Sequence, residues 1–192
     1  DSLGEGGNHF IHAARRNHDL TVIIHDNGLY SLTTGQTSPV TEHGVKTKST
    51  PQGNPDFPIN PLVLAIASGA TFVAREYASN TKALSELMIK ASKHKGFAVI
   101  DVLQPCVIFN KILTHPFYQQ NTYYLPQDYD RTNKALAFEK AHEFGIKQIP
   151  LGIFYEEEKP NYESQFEYFD KKSLVEVPTN RKNLEKLFIK YI

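Results

Sequence analysis

Residues 20–39 read LTVIIHDNGLYSLTTGQTSP, and the first five of them decide the fold. Leu20–Ile24 is an uninterrupted aliphatic and β-branched run, the pattern of a strand covered on both faces as in a parallel sheet. At His25 the run stops. The chain then passes through Asp26-Asn27-Gly28, presents Tyr30, and takes small polar residues as far as Pro39. The polar part holds almost nothing that looks like a nucleophile or a general base.

Moving outward, strands and helices alternate. GGNHFIHAARRN, Gly6 to Asn17, is a short helix with Phe10, Ile11, Ala13 and Ala14 on its apolar side and Arg15 and Arg16 at the end suited to cations. A stretch rich in Thr, Ser, Pro and Gly from Gly35 to Asn60 is a loop long enough to suggest function. NPLVLAIASG is a helix closed by Gly69, and TFVAREY is a second strand. NTKALSELMIKASKHKG is a helix capped at Asn80 or Thr81, with Ala83, Leu84, Leu87, Met88 and Ala91 on one stripe, stopping at Gly96. FAVIDVLQ, Phe97 to Gln104, is a third buried strand that runs straight into Pro105 and Cys106. This order predicts an α/β fold with a parallel sheet flanked by helices, and ligand sites at the C-terminal ends of its strands. Beyond Asn110 the pattern loosens: TNKALAFEKAHEFG is a helix, PLGIFYEEE an edge strand or extended arm, Tyr155 to Tyr168 a surface element, and NRKNLEKLFIK a terminal helix.

With 192 residues and 40% hydrophobic content, the chain can build one sizeable core and an appended subdomain. Lys plus Arg number 21 and Asp plus Glu 21, so no global field recruits nucleic acid or an anionic membrane. The one cysteine rules out a disulfide framework and favours a reducing compartment. No apolar run approaches the roughly 20 residues that span a bilayer, and no signal peptide is visible. The expected location is the cytoplasm. The chain opens DSLGEGG without an initiating methionine, which reads as a fragment or a processed chain.

Two readings fit the polar segment. Asp-Asn-Gly is a common turn signal, and most such turns bind nothing. Alternatively, Asn27 supplies a neutral carboxamide oxygen at a strand end, and Gly28 turns the backbone so that a main-chain carbonyl faces the same point. Magnesium takes such oxygens together with phosphate and water. The glycine-rich GEGG before the first helix adds backbone N–H groups that can receive a phosphate.

Cys106, taken by itself, reads as a small buried hydrophobe, which is what single cysteines usually are. His9 and His12 lie three apart on the first helix, but a zinc site asks for more ligands, and helix packing or polar contacts fit them better. Lys46 and Lys48 in the long loop could pair with an acidic substrate or with coenzyme A phosphates, although solvated lysines are the commoner case.

Taken together, GGNHFIHAARRNHDLTVIIHDNGLYSLTTGQTSP and VLQPCVIFN (Val102–Asn110) resemble the β subunit of 2-oxoacid:ferredoxin oxidoreductases. The resemblance implies a thiamine-diphosphate-binding fold with a C-terminal extension, divided as residues 1–110 (N-terminally truncated) and 111–192, the latter packing on the domain and on a partner subunit. Asp1 matches the last residue of the family's Gly-Asp-Gly-Asp opening, which leaves the magnesium-binding aspartate upstream of this chain. Asn27 is expected to give its side-chain oxygen to magnesium and Leu29 its backbone carbonyl. Tyr30, Thr33, Gly35 and Gln36 belong to the cofactor-binding loop. Cys106 matches one ligand of a 4Fe-4S cluster, whose other ligands lie upstream. Two departures stand out, Ser31 where glycine is frequent and Glu5 where an aliphatic residue is usual; neither is expected to touch a ligand.

The implied reaction is oxidative decarboxylation of a 2-oxoacid, pyruvate or 2-oxoglutarate, with coenzyme A accepting the acyl group and electrons passing through the cluster to ferredoxin. No catalytic acid or base is expected in this chain, because the glutamate that activates the cofactor belongs to the α subunit. Two other classes compete: a phosphate- or nucleotide-binding α/β module without redox function, which places Cys106 far from the Asn27 loop, and a structural subunit without cofactor.

Overall fold

The computed structural model describes residues 2–144, 148–166, 174–176, 186, 188 and 189. The expected terminal helix falls largely outside them. The chain divides into two compact units, Asp1–Tyr162 and Glu163–Ile192. The second shows single 3-10 turns at Glu163–Gln165 and Leu174–Glu176.

The first unit holds one five-stranded mixed sheet in the order β1-β3-β2-β5-β4. Its strands are β1 (Thr21–Asp26), β2 (Phe72–Tyr77), β3 (Ala98–Leu103), β4 (Thr122–Tyr124) and β5 (Ile149–Glu156). β1 and β2 both run parallel to β3, so the C-terminal ends of all three meet at one edge; Asp26 and Tyr77 each stand beside Leu103. β5 runs antiparallel to β2, and β4 parallel to β5. The sheet is thus mostly parallel, as the strand and helix alternation predicts, but not wholly so. The segment read as an edge strand or arm is an interior strand, and the edge belongs to β4. Tyr155, expected on a surface element, is buried in β5.

Helices cover both faces. α1 (Gly7–Arg16), α2 (Pro61–Ser68) and α5 (Lys134–His142) pack Phe10, Ala14, Leu62, Ile66 and Ala141 against Val73, Val99 and Phe154. α3 (Thr81–Lys93) packs Leu87 and Ala91 against Phe72, Ala98 and Ile100 on the opposite face. The sequence places Ile11 on the buried side of α1, yet it is 36% exposed. Phe10 and Ala14, four residues apart, carry the burial, and Ile11 lies about 100° around the helix from Phe10. α2 starts at Asn60, whose side chain accepts from the N–H groups of Leu62 and Val63, and ends on Gly69 in the left-handed region. Asn80 stands at the cap of α3 but makes no capping bond; its amide donates to Glu76 and Tyr124.

The short α4 (His115–Asn121) and β4 carry no hydrophobic period of their own, though Thr114 caps α4 and Pro116 sits in its first turn. β1 corrects a further expectation. It is an edge strand bonded only to β3 among the described residues, and Ile23 is 37% exposed. Thr21, Ile23 and His25 are exposed while Ile24 and Asp26 are buried, so the strand is covered on one face and not, as its aliphatic run suggests, on both. Among the described residues no helix is long and apolar enough to cross a membrane.

Candidate active site

Two loops leave adjacent parallel strands, one after Asp26 in β1 and one after Leu103 in β3. The amide of Gln104 donates to the Asp26 carbonyl at 2.8 Å and holds the two exits together.

In the first loop Asn27 folds back on itself. Its carboxamide oxygen accepts from the Leu29 N–H at 3.0 Å, and its amide nitrogen donates to the Ser31 hydroxyl at 2.8 Å. Gly28 has φ 70°, and its carbonyl accepts from the buried Thr41 hydroxyl at 2.6 Å. Thr41 in turn is tied to Asn54, whose amide donates to the Thr41 carbonyl at 2.8 Å. Side-chain bonds of this kind, rather than a helix or strand, organise the long loop. Further along, Tyr30 and Gln36 form a bridge that closes the loop, and the Thr33 hydroxyl donates to the Gln36 side chain at 2.7 Å. Thr34 holds a positive φ of 82° before Gly35 at 88°.

The second loop turns at Pro105 and Cys106. Asn110 is its lock: its N–H donates to the Cys106 carbonyl, and its side-chain oxygen accepts from the N–H groups of Ile112 and Leu113. Its side-chain amide crosses to the first loop and donates to the Asn27 carbonyl at 3.0 Å. The glycines of the first loop are where the second presses in. A Cβ on Gly35 falls 2.8 Å from Cγ of Phe109, and one on Gly28 falls 2.9 Å from Leu113. A positive φ favours glycine at both positions, and at Gly35 contact with the base of the Phe109 side chain adds to it.

Asn27, Leu29 and Tyr30 line one cavity of about 280 Å³ with Asp26, Ser2 and Leu3. The Tyr30 hydroxyl abuts Gly4, where a Cβ falls 2.6 Å from it, so the GEGG segment and the Asn27 loop meet. Thr33 is exposed, and Gly35 faces a second cavity of about 370 Å³ shared with Leu29, Lys46, Lys48, Phe109 and Lys111. Asp1 lies outside the described residues. Among the described residues no three His, Cys, Asp or Glu side chains converge as a metal group.

Burial sets the electrostatics beneath the loops. Asp26 is pushed up to about 7 by burial and by the nearby Asp101 charge, against the Gly28 N–H and Arg75, which pull it down. Arg75 and Asp101, neighbours on β2 and β3, form a fully buried ion pair at 2.8 Å. Both Nη atoms of Arg75, Oδ1 of Asp101 and the Tyr118 hydroxyl are buried without a hydrogen-bond partner among the described residues. The Phe144 ring lies over the guanidinium at 4.6 Å. At Cys106, burial pushes the thiol up, but the N–H groups of Phe109, Asn110 and Ile108 and the Ser31 hydroxyl outweigh it, leaving the thiol below its usual value. That environment favours thiolate.

Sequence reasoning leaves Ser31 out of contact with any ligand. The structure corrects this: the Ser31 hydroxyl accepts a hydrogen bond from the Asn27 side-chain amide at 2.8 Å. Asn110 and Thr41 carry no local signal of their role. Their partners lie 83 and 13 positions away, a distance no local pattern reports.

Residues 2–102 match the model of the thiamine pyrophosphate enzyme C-terminal TPP binding domain, and residues 106–171 that of the C-terminal part of the pyruvate ferredoxin oxidoreductase β chain. A 2-oxoacid:ferredoxin oxidoreductase subunit beta from Saccharolobus solfataricus is 49% identical over 171 residues, covering 82% of this chain and 55% of the relative. The chain belongs to the β-subunit family of the 2-oxoacid:ferredoxin oxidoreductases. A β subunit from Aeropyrum pernix is 48% identical over 166 residues, covering 81% of this chain and 52% of the relative. This member of the family therefore spans about half the length of the curated relatives it matches. Among solved structures, a 2-oxoglutarate:ferredoxin oxidoreductase from Magnetococcus marinus, with 2-oxoglutarate, coenzyme A and succinyl-CoA bound, superposes with a TM-score of 0.85 at 34% identity. The match covers 96% of this chain and 63% of that one.

Proposed function

We propose that this chain is the cofactor-holding part of the β subunit of a 2-oxoacid:ferredoxin oxidoreductase. With an α subunit it converts a 2-oxoacid and coenzyme A to acyl-CoA and carbon dioxide, passing two electrons to ferredoxin. The observation that carries the reading is the joining of the Asn27 loop to the Cys106 loop through Asn110, at the C-terminal ends of two adjacent parallel strands.

The residues present fit the groups the family implies. The Asn27 carboxamide oxygen, with one lone pair on the Leu29 N–H, keeps another for a magnesium ion. Asn27, Leu29 and Tyr30 share a cavity next to the GEGG segment, where a diphosphate is expected. The Cys106 sulfur sits among backbone N–H groups that favour thiolate, the form an iron-sulfur cluster requires. When bound, thiamine diphosphate supplies the electron sink for decarboxylation and the cluster supplies one-electron transfer. The chain's own part is to grip the cation with Asn27 and the Leu29 carbonyl, to hold the loop with Thr41 and Gly35, and to keep the Cys106 sulfur beside it. The remaining cluster and magnesium ligands are assigned upstream, the activating glutamate to the α subunit, and the location to the cytoplasm. Asp1, Tyr30, Thr33 and Gln36 complete the cofactor-binding loop in this reading.

A phosphate-binding module without redox function needs no link between Cys106 and the Asn27 loop, so their junction weighs against it. The test is anaerobic co-expression of the full-length β subunit with an α subunit, followed by coenzyme A-dependent viologen reduction over a panel of 2-oxoacids. Activity with one or more 2-oxoacids is expected. Stoichiometric thiamine diphosphate without reduction of any acceptor overturns the redox reading, and failure to bind thiamine diphosphate overturns the whole.

A further inference from the structure

We propose that Arg75, Asp101 and Tyr118 enclose an internal water site, in which ordered water bridges the guanidinium to the carboxylate and to the tyrosine hydroxyl and so ties α4 to the sheet. The inference goes beyond the functional reading and stands without it, since it asks nothing of a cofactor.

Strand pairing brings the groups together. Arg75 on β2 stands opposite Asp101 on β3, and Tyr77, two residues on and therefore on the same face, stands opposite Leu103. The Tyr118 ring packs on Tyr77 with centroids 5.5 Å apart. Arg75 and Asp101 meet through Nε and Oδ2 at 2.8 Å. That contact leaves both Nη atoms, Oδ1 and the Tyr118 hydroxyl without a hydrogen-bond partner among the described residues, on side chains with 0% exposure. The Phe144 and Phe154 rings lie over the guanidinium at 4.6 and 5.7 Å and offer it no acceptor oxygen. Burial pushes the Tyr118 hydroxyl up, and the charges of Asp26, Asp101 and Arg75 all act on it, in keeping with a shared enclosure.

Several buried polar atoms left unpaired together consume much of the margin by which a domain is stable, so these need a partner. Its chemistry follows from theirs. The Nη atoms only donate, an ionised Asp101 Oδ1 only accepts, and the tyrosine hydroxyl does both. The partner must therefore accept from the guanidinium and donate to the carboxylate. An inorganic anion has nothing to donate to Oδ1, and Asp101 already balances the Arg75 charge. A metal cation is repelled by the guanidinium and cannot accept from it. Water is neutral, does both, and makes about three hydrogen bonds in such places. The bridge also has a structural reach. Tyr118 is the buried residue of α4, and α4 continues the chain from the Cys106 loop through Asn110 and the capping Thr114. Water between Tyr118 and the Arg75–Asp101 pair anchors the exit of that loop from below.

The test is a crystal structure of the assembled α and β enzyme at a resolution that shows ordered water, for wild type and Tyr118→Phe, with a further wild-type crystal soaked in bromide. Wild type is expected to show water bonded to an Arg75 Nη atom and shared with Asp101 Oδ1 and the Tyr118 hydroxyl. No anomalous bromide peak is expected there, and Tyr118→Phe is expected to lose at least one of the waters. A dry site, a bromide peak, or direct pairing of these atoms with protein groups overturns the proposal. So does water left unchanged in Tyr118→Phe, which denies the tie to α4. If the variant does not fold, the wild-type density decides alone. A dry site in an enzyme that holds thiamine diphosphate sinks this proposal and spares the functional reading; water there in an enzyme that binds no thiamine diphosphate does the reverse.

Discussion

The side-chain amide of Asn110 donates to the main-chain carbonyl of Asn27 across 83 positions, at 3.0 Å. One residue thereby closes its own turn and clamps the neighbouring loop. Asn110→Ala removes that bond and the acceptor for the Ile112 and Leu113 N–H groups. The expected cost is about 1–2 kcal/mol in urea unfolding, from the hydrogen bonds lost at the turn and across to the Asn27 loop. Asn110→Asp keeps the acceptor but sets a carboxylate oxygen against the Asn27 carbonyl, so it is expected to disturb cofactor binding more than stability.

Asn27→Ala takes away the carboxamide oxygen assigned to magnesium. Calorimetric titration of the assembled enzyme is expected to show magnesium-dependent thiamine diphosphate binding weakened by at least about tenfold, the loss of one good charge-assisted contact. Unchanged affinity removes Asn27 from the ligand set.

Gly35 stands at φ 88° with Phe109 at contact. Gly35→Ala adds the cost of a left-handed non-glycine residue, about 1–2 kcal/mol, to that of overlap with the ring, about 1–3 kcal/mol. Combining it with Phe109→Ala is expected to recover the second part and not the first. A double-mutant cycle on denaturation midpoints separates them.

Asp101→Asn leaves the buried Arg75 charge uncompensated and is expected to destabilise by about 3–5 kcal/mol, whereas replacing both members by apolar residues of similar volume is expected to cost far less. Thermal unfolding of Asp101→Leu combined with Arg75→Met, beside each single variant, measures the difference. Near-equal losses in the single and paired variants are the contrary outcome.

His94, at the end of α3, is held below the usual histidine value by burial, against the raising influence of Glu156, Asp19 and Glu158; its ring nitrogen shares a hydrogen bond with the Thr71 hydroxyl at 2.8 Å. The folded state prefers the neutral ring, so the unfolded chain binds the proton first on acidification. The contribution is complete above the unfolded value near 6.5 and is lost as the pH falls from there through the folded value. His94→Gln is expected to flatten the part of the stability profile that falls away below the ordinary histidine value, followed by urea denaturation at each pH.

The parts legible in sequence share a physical cause. Strands β1, β2 and β3 announce themselves as short aliphatic runs, α2 through its closing Gly69, and α3 through the stripe of Leu84, Leu87, Met88 and Ala91. The Asn27 loop is legible because a carboxamide and a glycine at a strand end have a restricted set of uses. What stays hidden depends on tertiary neighbours. The sense of β5 follows from its pairing with β2, and the exposure of Ile23 from β1's place at the edge. Neither is a property of the segment itself. Ser31 looks like a neutral replacement of glycine until the loop folds its hydroxyl onto the Asn27 side-chain amide. Asn110 likewise has no signature until the strand ends are adjacent.

The open side of β1 has a practical consequence. Its row of main-chain amides and carbonyls, flanked by the apolar Leu20 and Ile23, is a template onto which extended segments of other molecules add. Produced by itself, this polypeptide is expected to self-associate during purification, and a lysine introduced at Ile23 to keep it dispersed.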